Sequence, residues 1–286
     1  MIRAVTAAIT IPFDPVIFRL GGLAVHWYGV AYVIAFAVGA RLVTNYLVPR
    51  GISARDISDG LWWTIGFGLL GGRLYFVLQQ PNLGDYLRHP IEVIAVWKGG
   101  MAFFGAVISG CITIAVFAYR RRLPVWVALD AGAVFATLPQ AIGRIGNIIN
   151  GDILGPASNL PWATRYTNPH SFAPVLGVAY QPAGAYELLT SLVLFGLVMF
   201  LVSRHPPDGS LIIVYVAAYA VSQFLLFYLR ATEPVLLFGL KQAQLTALVM
   251  LLVVVPLLIL LRRRYPNLGV RPGAEPVAAR PAAEGA

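Results

Sequence analysis

The densest polar group in the chain is the run Gly143-Arg144-Ile145-Gly146-Asn147-Ile148-Ile149-Asn150-Gly151-Asp152. Continued as helix, it sets Arg144, Asn147, Asn150 and Gly151 at steps of three and four, on one face. A guanidinium with two carboxamides beside it offers a fixed fork of donors suited to a phosphate. Gly146 and Gly151 leave room for a ligand to approach the backbone. Taken alone, Arg144 also reads as an arginine snorkelling to a membrane surface among interfacial amides. The asparagines and glycines in phase with it favour the phosphate.

Other scarce ionisable residues admit two readings each. Asp130 precedes Arg144 by fourteen positions inside an apolar stretch, where a carboxylate must be paired, protonated or facing water. It serves either a buried hydrogen bond, with Arg73 as a partner, or a functional site. Glu187 follows Tyr186 near the start of an apolar run and is either a carboxylate favoured by a helix N-terminus or a catalytic acid or base. Arg230 closes another run as an interfacial anchor or a second phosphate contact. In His26-Trp27-Tyr28, Trp27 fits an aromatic belt, His26 an interfacial position, and Tyr28 either the belt or a hydrogen bond to substrate. No His, Asp or Glu spacing suits a metal, and Cys111 is the only cysteine, so no metal or other cofactor is expected.

The elements that must position these residues are dictated by composition. Of 286 residues, 58% are hydrophobic and 12% charged, and mean hydropathy is +0.75; a soluble domain carries about 25% charged residues. A soluble globular protein, a disordered chain and a disulfide scaffold are thereby excluded. Seven apolar runs reach spanning length: Val25–Val43, Leu61–Leu78, Met101–Tyr119, Pro124–Ile142, Gly184–Val202, Leu211–Leu229 and Leu240–Leu261. The expected fold is an all-α integral membrane protein. One seven-helix domain is expected over residues 1–264, with outer-face segments at 1–24, 79–100 and 143–183, and a disordered Pro/Ala-rich tail over 265–286. Gly99-Gly100-Met101-Ala102-Phe103-Phe104-Gly105 supplies small residues for tight helix approach but nothing that transfers a proton.

The formal charge of +9 belongs to topology and lipid contact, so no nucleic-acid partner is expected. Arg50, Arg55, Arg120–Arg122, Arg204 and Arg262–Arg264 share one side, which the positive-inside rule makes cytoplasmic. The N-terminus is then outside and the C-terminus inside. No cleavable signal pattern and no internal repeat is evident. A retinal-type receptor would need a mid-span lysine in the last helix, whereas Lys241 stands at its very start.

Together these residues resemble the bacterial prolipoprotein diacylglyceryl transferases. The resemblance runs through Val25-His26-Trp27-Tyr28-Gly29, Gly72-Arg73-Leu74, Asp130, the Gly143–Asp152 run, Leu160-Pro161-Trp162, Pro182 with Tyr186-Glu187, Arg230, Pro234 and Gln244-Leu245, in order over roughly residues 15–260. It implies a multi-pass protein of the bacterial inner membrane that moves a diacylglyceryl group from phosphatidylglycerol to the lipobox cysteine of a preprolipoprotein, with glycerol phosphate leaving. Its partners would be phosphatidylglycerol, the preprolipoprotein signal peptide and membrane lipids. Carried over, Arg144 would contact the headgroup, Asn147 and Gly151 would line its site, and Tyr28, Asp130 and Glu187 would fall in the same pocket. Asn150 on the same helix face and Arg230 as a second phosphate contact are added to the expected phosphatidylglycerol site from the residues themselves.

The pattern also departs from the family. Phe104-Gly105-Ala106 stands where the family has His-Gly-Gly, Ala102 stands for a serine, and Gln181-Pro182-Ala183-Gly184 stands for His-Pro-Ser-Gln. Gln223 and Phe227 occupy positions where many members carry arginine and glutamate, and Asp152 replaces a glutamate. A general base contributes typically about 10²–10⁴-fold, so its loss slows such an enzyme without abolishing it. Arg144 is then the expected catalytic electrostatic group, with Glu187 or Asp152 as the replacement base. The alternative is a catalytically impaired paralogue that binds phospholipid or lipoprotein, or modifies another acceptor.

Overall fold

A computed structural model describes residues 8–21, 23–80, 82–95, 100–231 and 235–270. Pro234, Lys98 and the part of the expected tail from 271 onward lie outside the described residues.

Among the described residues, seven helices are long and apolar enough to cross a membrane: Trp27–Arg50, Ala54–Leu78, Phe104–Arg121, Val125–Asn150, Ala183–Ser203, Ser210–Leu229 and Gln242–Arg264. The all-α membrane fold expected from composition is present. The first span starts later than the apolar pattern suggests, because Leu23–His26 is a strand. The fourth runs eight residues beyond Ile142, so the polar run from Gly143 to Asn150 is the end of a helix. Half of the fourth span's apolar window is buried inside the protein, against 11% to 33% for the others. It is the most deeply buried of the seven.

The chain divides into two compact units, Met1–Arg41 with Ala133–Leu261, and Leu42–Gly132 with Arg262–Ala286. Within the second, α2 (Ala54–Leu78) and α5 (Phe103–Arg121) pack closely. Ser53 caps α2, accepting the Asp56 N–H at 3.1 Å. Gly68, Gly71 and Gly72 of α2 face Ala102, Gly105, Ala106 and Ser109. A β-carbon on Gly72 would lie 3.3 Å from the Ala102 carbonyl, so the small residues set the approach of the two backbones. Two short helices follow, α3 (Leu83–Arg88) and α4 (Pro90–Ile94). Buried Arg73 donates to the carbonyls of Glu92 at 2.7 Å, Gly100 at 3.0 Å and Val93 at 3.2 Å, tying the connecting segment to α2.

The first unit holds the start of α1 (Trp27–Leu47), the second half of α6 (Val125–Asn150), then α7 (Ala183–Ser203), α8 (Ser210–Leu226), α9 (Gln242–Val249) and most of α10 (Val255–Arg264). A π-helical turn, Met250–Val254, separates α9 from α10. Short strands decorate the polar segments. β1 (Ile9–Ile11) pairs parallel with β4 (Thr164–Tyr166), which pairs antiparallel with β5 (Ala179–Tyr180). Ile11, Leu154, Tyr166 and Tyr180 form a small core beneath this sheet. β2 (Val16–Leu20) with β3 (Leu23–His26), and β6 (Val235–Leu237) with β7 (Leu240–Lys241), form two hairpins.

α1 meets α6 along Phe36 and Phe135, whose rings lie 5.1 Å apart edge to face, and at Gly146. A β-carbon on Gly146 would sit 3.0 Å from the Tyr28 Cα and 3.3 Å from the Ala31 side chain. The space expected for a ligand at Gly146 is therefore filled by α1, because removing the side chain lets two backbones close on each other. Gly146→Ala is expected to cost about 1–3 kcal/mol through overpacking, read as a lower thermal midpoint of the detergent-solubilised protein. Gly143→Ala is the control, since its β-carbon would find only the Tyr32 ring edge at 3.9 Å.

Candidate functional site

The end of α6 carries the polar face expected from the sequence. Asn147 is 6% exposed, and its Oδ1 accepts from Arg144 Nη1 at 3.3 Å. The Asn147 amide donates to both carboxylate oxygens of Asp152, at 3.2 Å each. That second contact depends on how the helix stops. Gly151 has φ +75°, and its N–H bonds to the Asn147 carbonyl at 2.9 Å. This left-handed residue ends the helix and swings Asp152 back under Asn147. A β-carbon there would also collide with Ser171 and Tyr166, so the observed need for glycine is set by backbone and packing.

Arg144 reaches further than its own helix. Its Nη2 lies 2.7 Å from Glu187 Oε2, on α7. The other carboxylate oxygen, Oε1, accepts from Arg230 Nε at 2.9 Å, just past α8. Glu187 is only 2% exposed and joins two arginines whose side chains are 18% and 11% exposed. The Arg144 contact is close but not aligned as a hydrogen bond, so it is mainly an ion contact. Three elements distant in sequence thus meet at one carboxylate.

The segment after α6 brings them together. Gly155 N–H bonds to the Gln181 carbonyl at 2.9 Å, Gly184 N–H to Ile153 at 3.0 Å, and Ala231 N–H to Leu154 at 3.4 Å. Residues 153–155 therefore stitch the start of α7 to the end of α8. A β-carbon on Gly155 would meet the Leu229 carbonyl at 2.6 Å, so only glycine fits between them. Sequence reasoning missed Gly155; a glycine before Pro156 in a polar connection was the available signal.

Asn150 is buried, and its backbone carbonyl accepts from Phe172 N–H at 2.9 Å and Ser171 Oγ at 3.2 Å. Its side-chain oxygen has no partner among the described residues. Tyr28 flanks the cluster through the contact at Gly146 and donates its hydroxyl to Tyr32 at 2.9 Å. Asp130 lies buried in the part of α6 that belongs to the second unit. Phe104 stands in the first turn of α5, in the second unit.

Outside the spans, two carboxylates differ. Burial pushes the Asp152 carboxyl above its ordinary pKa, against the opposing pull of the Asn147 amide, its own backbone N–H and the two arginines. The Val16 N–H and His170 hold Asp14 below its ordinary pKa, with Asp14 Oδ2 2.8 Å from His170 Nδ1. Burial raises the Tyr166 hydroxyl to about 12, and that hydroxyl donates to the Ile148 carbonyl at 2.7 Å.

Chemically, the cluster holds two guanidiniums on one buried carboxylate, with an amide and a second carboxylate alongside. The two guanidinium forks suit a phosphodiester, and the Asp152 carboxylate accepts from the Asn147 amide rather than from a guanidinium in the contacts described.

The chain is similar to known proteins. The family described as prolipoprotein diacylglyceryl transferase matches residues 15–260. A phosphatidylglycerol--prolipoprotein diacylglyceryl transferase of Bordetella avium (strain 197N) is 35% identical over 260 residues, covering 88% of this chain and 96% of that protein. The Agrobacterium fabrum (strain C58 / ATCC 33970) protein of the same name is 33% identical over 245 residues, covering 82% and 86%. One from Thermosynechococcus vestitus (strain NIES-2133 / IAM M-273 / BP-1) is 33% identical over 234 residues, covering 81% and 86%. With the match running from before the first span into the seventh and including Arg144, Glu187 and Arg230, the chain belongs to the prolipoprotein diacylglyceryl transferase family.

Proposed function

We propose that this chain transfers a diacylglyceryl group from phosphatidylglycerol to the lipobox cysteine of preprolipoproteins, at the outer face of the bacterial inner membrane. The observation that carries the reading is the Arg144–Glu187–Arg230 cluster beside Asn147. Its members sit where a phospholipid phosphate would take over part of the carboxylate's role as counter-ion. The family's named substrates are phosphatidylglycerol and a prolipoprotein. The outer placement rests on the arginines clustered at the opposite helix ends, including Arg120–Arg122 and Arg262–Arg264.

In the reaction, the cysteine sulfur attacks the terminal glyceryl carbon next to the phosphate. A carbon–sulfur bond forms, the carbon–oxygen bond to phosphate breaks, and glycerol phosphate leaves with the electron pair. The thiol proton goes to a base. Arg144 and Arg230 stabilise the leaving phosphate, a role that gains strength away from water. Asn147 keeps the Arg144 guanidinium oriented. Tyr28 borders the headgroup, while Asn150 and Gly151 hold the loop that closes the site. No chemical step falls on Asp130.

Glu187 is a poor base here, because both its oxygens face guanidiniums. Asp152 is the better one, being hydrogen-bonded by the Asn147 amide rather than paired directly with a guanidinium, and raised in pKa. A free cysteine thiol ionises near 8.5, so a carboxylate with a raised pKa shortens the uphill step of taking its proton. As pH falls, a base with a raised pKa is protonated earlier than an ordinary aspartate. The acid limb of kcat/KM therefore lies above the ordinary value of about 3.9. Asp152→Asn is expected to lower kcat/KM by about 10²-fold and to flatten that limb; an unchanged profile would exclude Asp152 as the base.

The intact cluster favours an active transferase over an impaired paralogue. Expression in a strain depleted of its own transferase is the test: growth and lipoprotein maturation are expected to return. Failure by correctly inserted protein, with a relative as positive control, would overturn the reading.

A further inference from the structure

We infer that Lys241 is a positioning residue that, with Gln244, fixes the backbone on which Arg230 is mounted. The proposal rests on the transferase reading and adds a residue to it. α8 ends at Leu226 and tightens into a 3₁₀ turn, Phe227–Leu229, immediately before Arg230. A helix end leaves its last carbonyls without intrahelical partners, and here those carbonyls belong to the residues that present a functional arginine.

They are met from the start of the next span. Lys241 Nζ donates to the Phe227 carbonyl at 2.8 Å and also to the carbonyl of Arg230 itself. Gln244, only 1% exposed, donates through Nε2 to the Phe224 carbonyl at 3.1 Å. Its Oε1 accepts the Lys241 backbone N–H at 3.0 Å, so the two side chains form one unit. Three carbonyls at steps of three along the helix end, Phe224, Phe227 and Arg230, are thus held by two residues of α9 and its N-cap. A cation at this end also opposes the negative pole of the α8 dipole. Lys241 touches neither Glu187 nor Arg144 in the contacts described; it acts on the site through the Arg230 backbone.

The consequence is specific. Arg230 Nε must stay 2.9 Å from Glu187 Oε1 to share the carboxylate with Arg144, and a misplacement of about 1 Å in such a group costs up to about 10²-fold in rate. Lys241→Met keeps the aliphatic stem and removes the donors. It is expected to lower kcat/KM about 10- to 100-fold, and Lys241→Arg, which restores donors, to recover most of the loss.

The deciding test is a double-mutant cycle with Arg230→Gln, combined with amide hydrogen exchange on the membrane-embedded full chain. If Lys241 acts through Arg230, Lys241→Met has little further effect in the Arg230→Gln background, and the Arg230 and Ala231 amides exchange faster in Lys241→Met. Equal fold-losses in both backgrounds, or unchanged exchange at those amides, would overturn the proposal. If the wild-type chain transfers no lipid at all, the transferase reading fails, while the exchange measurement still decides whether Lys241 holds this backbone.

Discussion

Arg144→Ala is expected to lower diacylglyceryl transfer by at least about 10²–10³-fold, with the protein still inserted and folded. Arg144 is the one side chain that touches both halves of the cluster, Asn147 on its own helix and Glu187 on α7. Its loss removes a guanidinium fork from the phosphate and leaves Glu187 with Arg230 as remaining counter-ion. The fold survives because that second pair persists. Arg144→Lys keeps the charge but not the planar fork, so it is expected to restore only part of the activity. Initial rates with phosphatidylglycerol, alongside thermal unfolding in detergent, separate the two effects. Near-normal turnover by Arg144→Ala would remove this residue from the reaction.

Glu187→Ala is expected to act in the opposite proportion, as a stability variant first. The carboxylate is 2% exposed and serves two guanidiniums that are themselves largely buried. Removing it leaves two like charges facing each other without their counter-ion, and breaking a buried pair in this way costs about 3–5 kcal/mol. The thermal midpoint should fall well below that of Arg144→Ala. Because the two residues touch, their effects should not add: Arg144→Ala combined with Glu187→Ala is expected to be more stable than the sum of the single losses implies. Added phosphatidylglycerol should recover part of the stability of Glu187→Ala, since its phosphate supplies a replacement counter-charge. A Glu187→Ala protein as stable as the parent would contradict the ion-paired arrangement.

The membrane fold was legible because each span is a long apolar run, a signal that depends on composition and length alone. The helical phase of Arg144, Asn147 and Asn150 was legible for the same reason, being local to one helix. Glu187 and Arg230 were visible as scarce charges, but not as partners. They lie 43 residues apart on different elements, and their meeting depends on the stitching by residues 153–155. Asp152 could be named but not aimed, since its position follows from the left-handed turn at Gly151. Gly146 was misread as space for a ligand, because a missing side chain does not say which neighbour will use the gap; here it is α1. The strands were missed because they are only two to five residues long, too short for a periodic signal, and Leu23–His26 merges with the apolar run of the first span. The family resemblance supplied residue roles, and the structure showed which of those residues in the first unit share a carboxylate.

The central claim is that the Arg144–Glu187–Arg230 cluster supports transfer in a chain where the family resemblance leads one to expect Phe104 in place of a histidine. The most direct measurement incubates the purified full-length protein with phosphatidylglycerol vesicles and a synthetic lipobox peptide, then reads the peptide by mass spectrometry. The predicted result is a gain equal to one diacylglyceryl group on the cysteine, with glycerol phosphate released in equal amount, and neither product with Arg144→Ala. An unmodified peptide under conditions in which a related transferase modifies it fully would contradict the account.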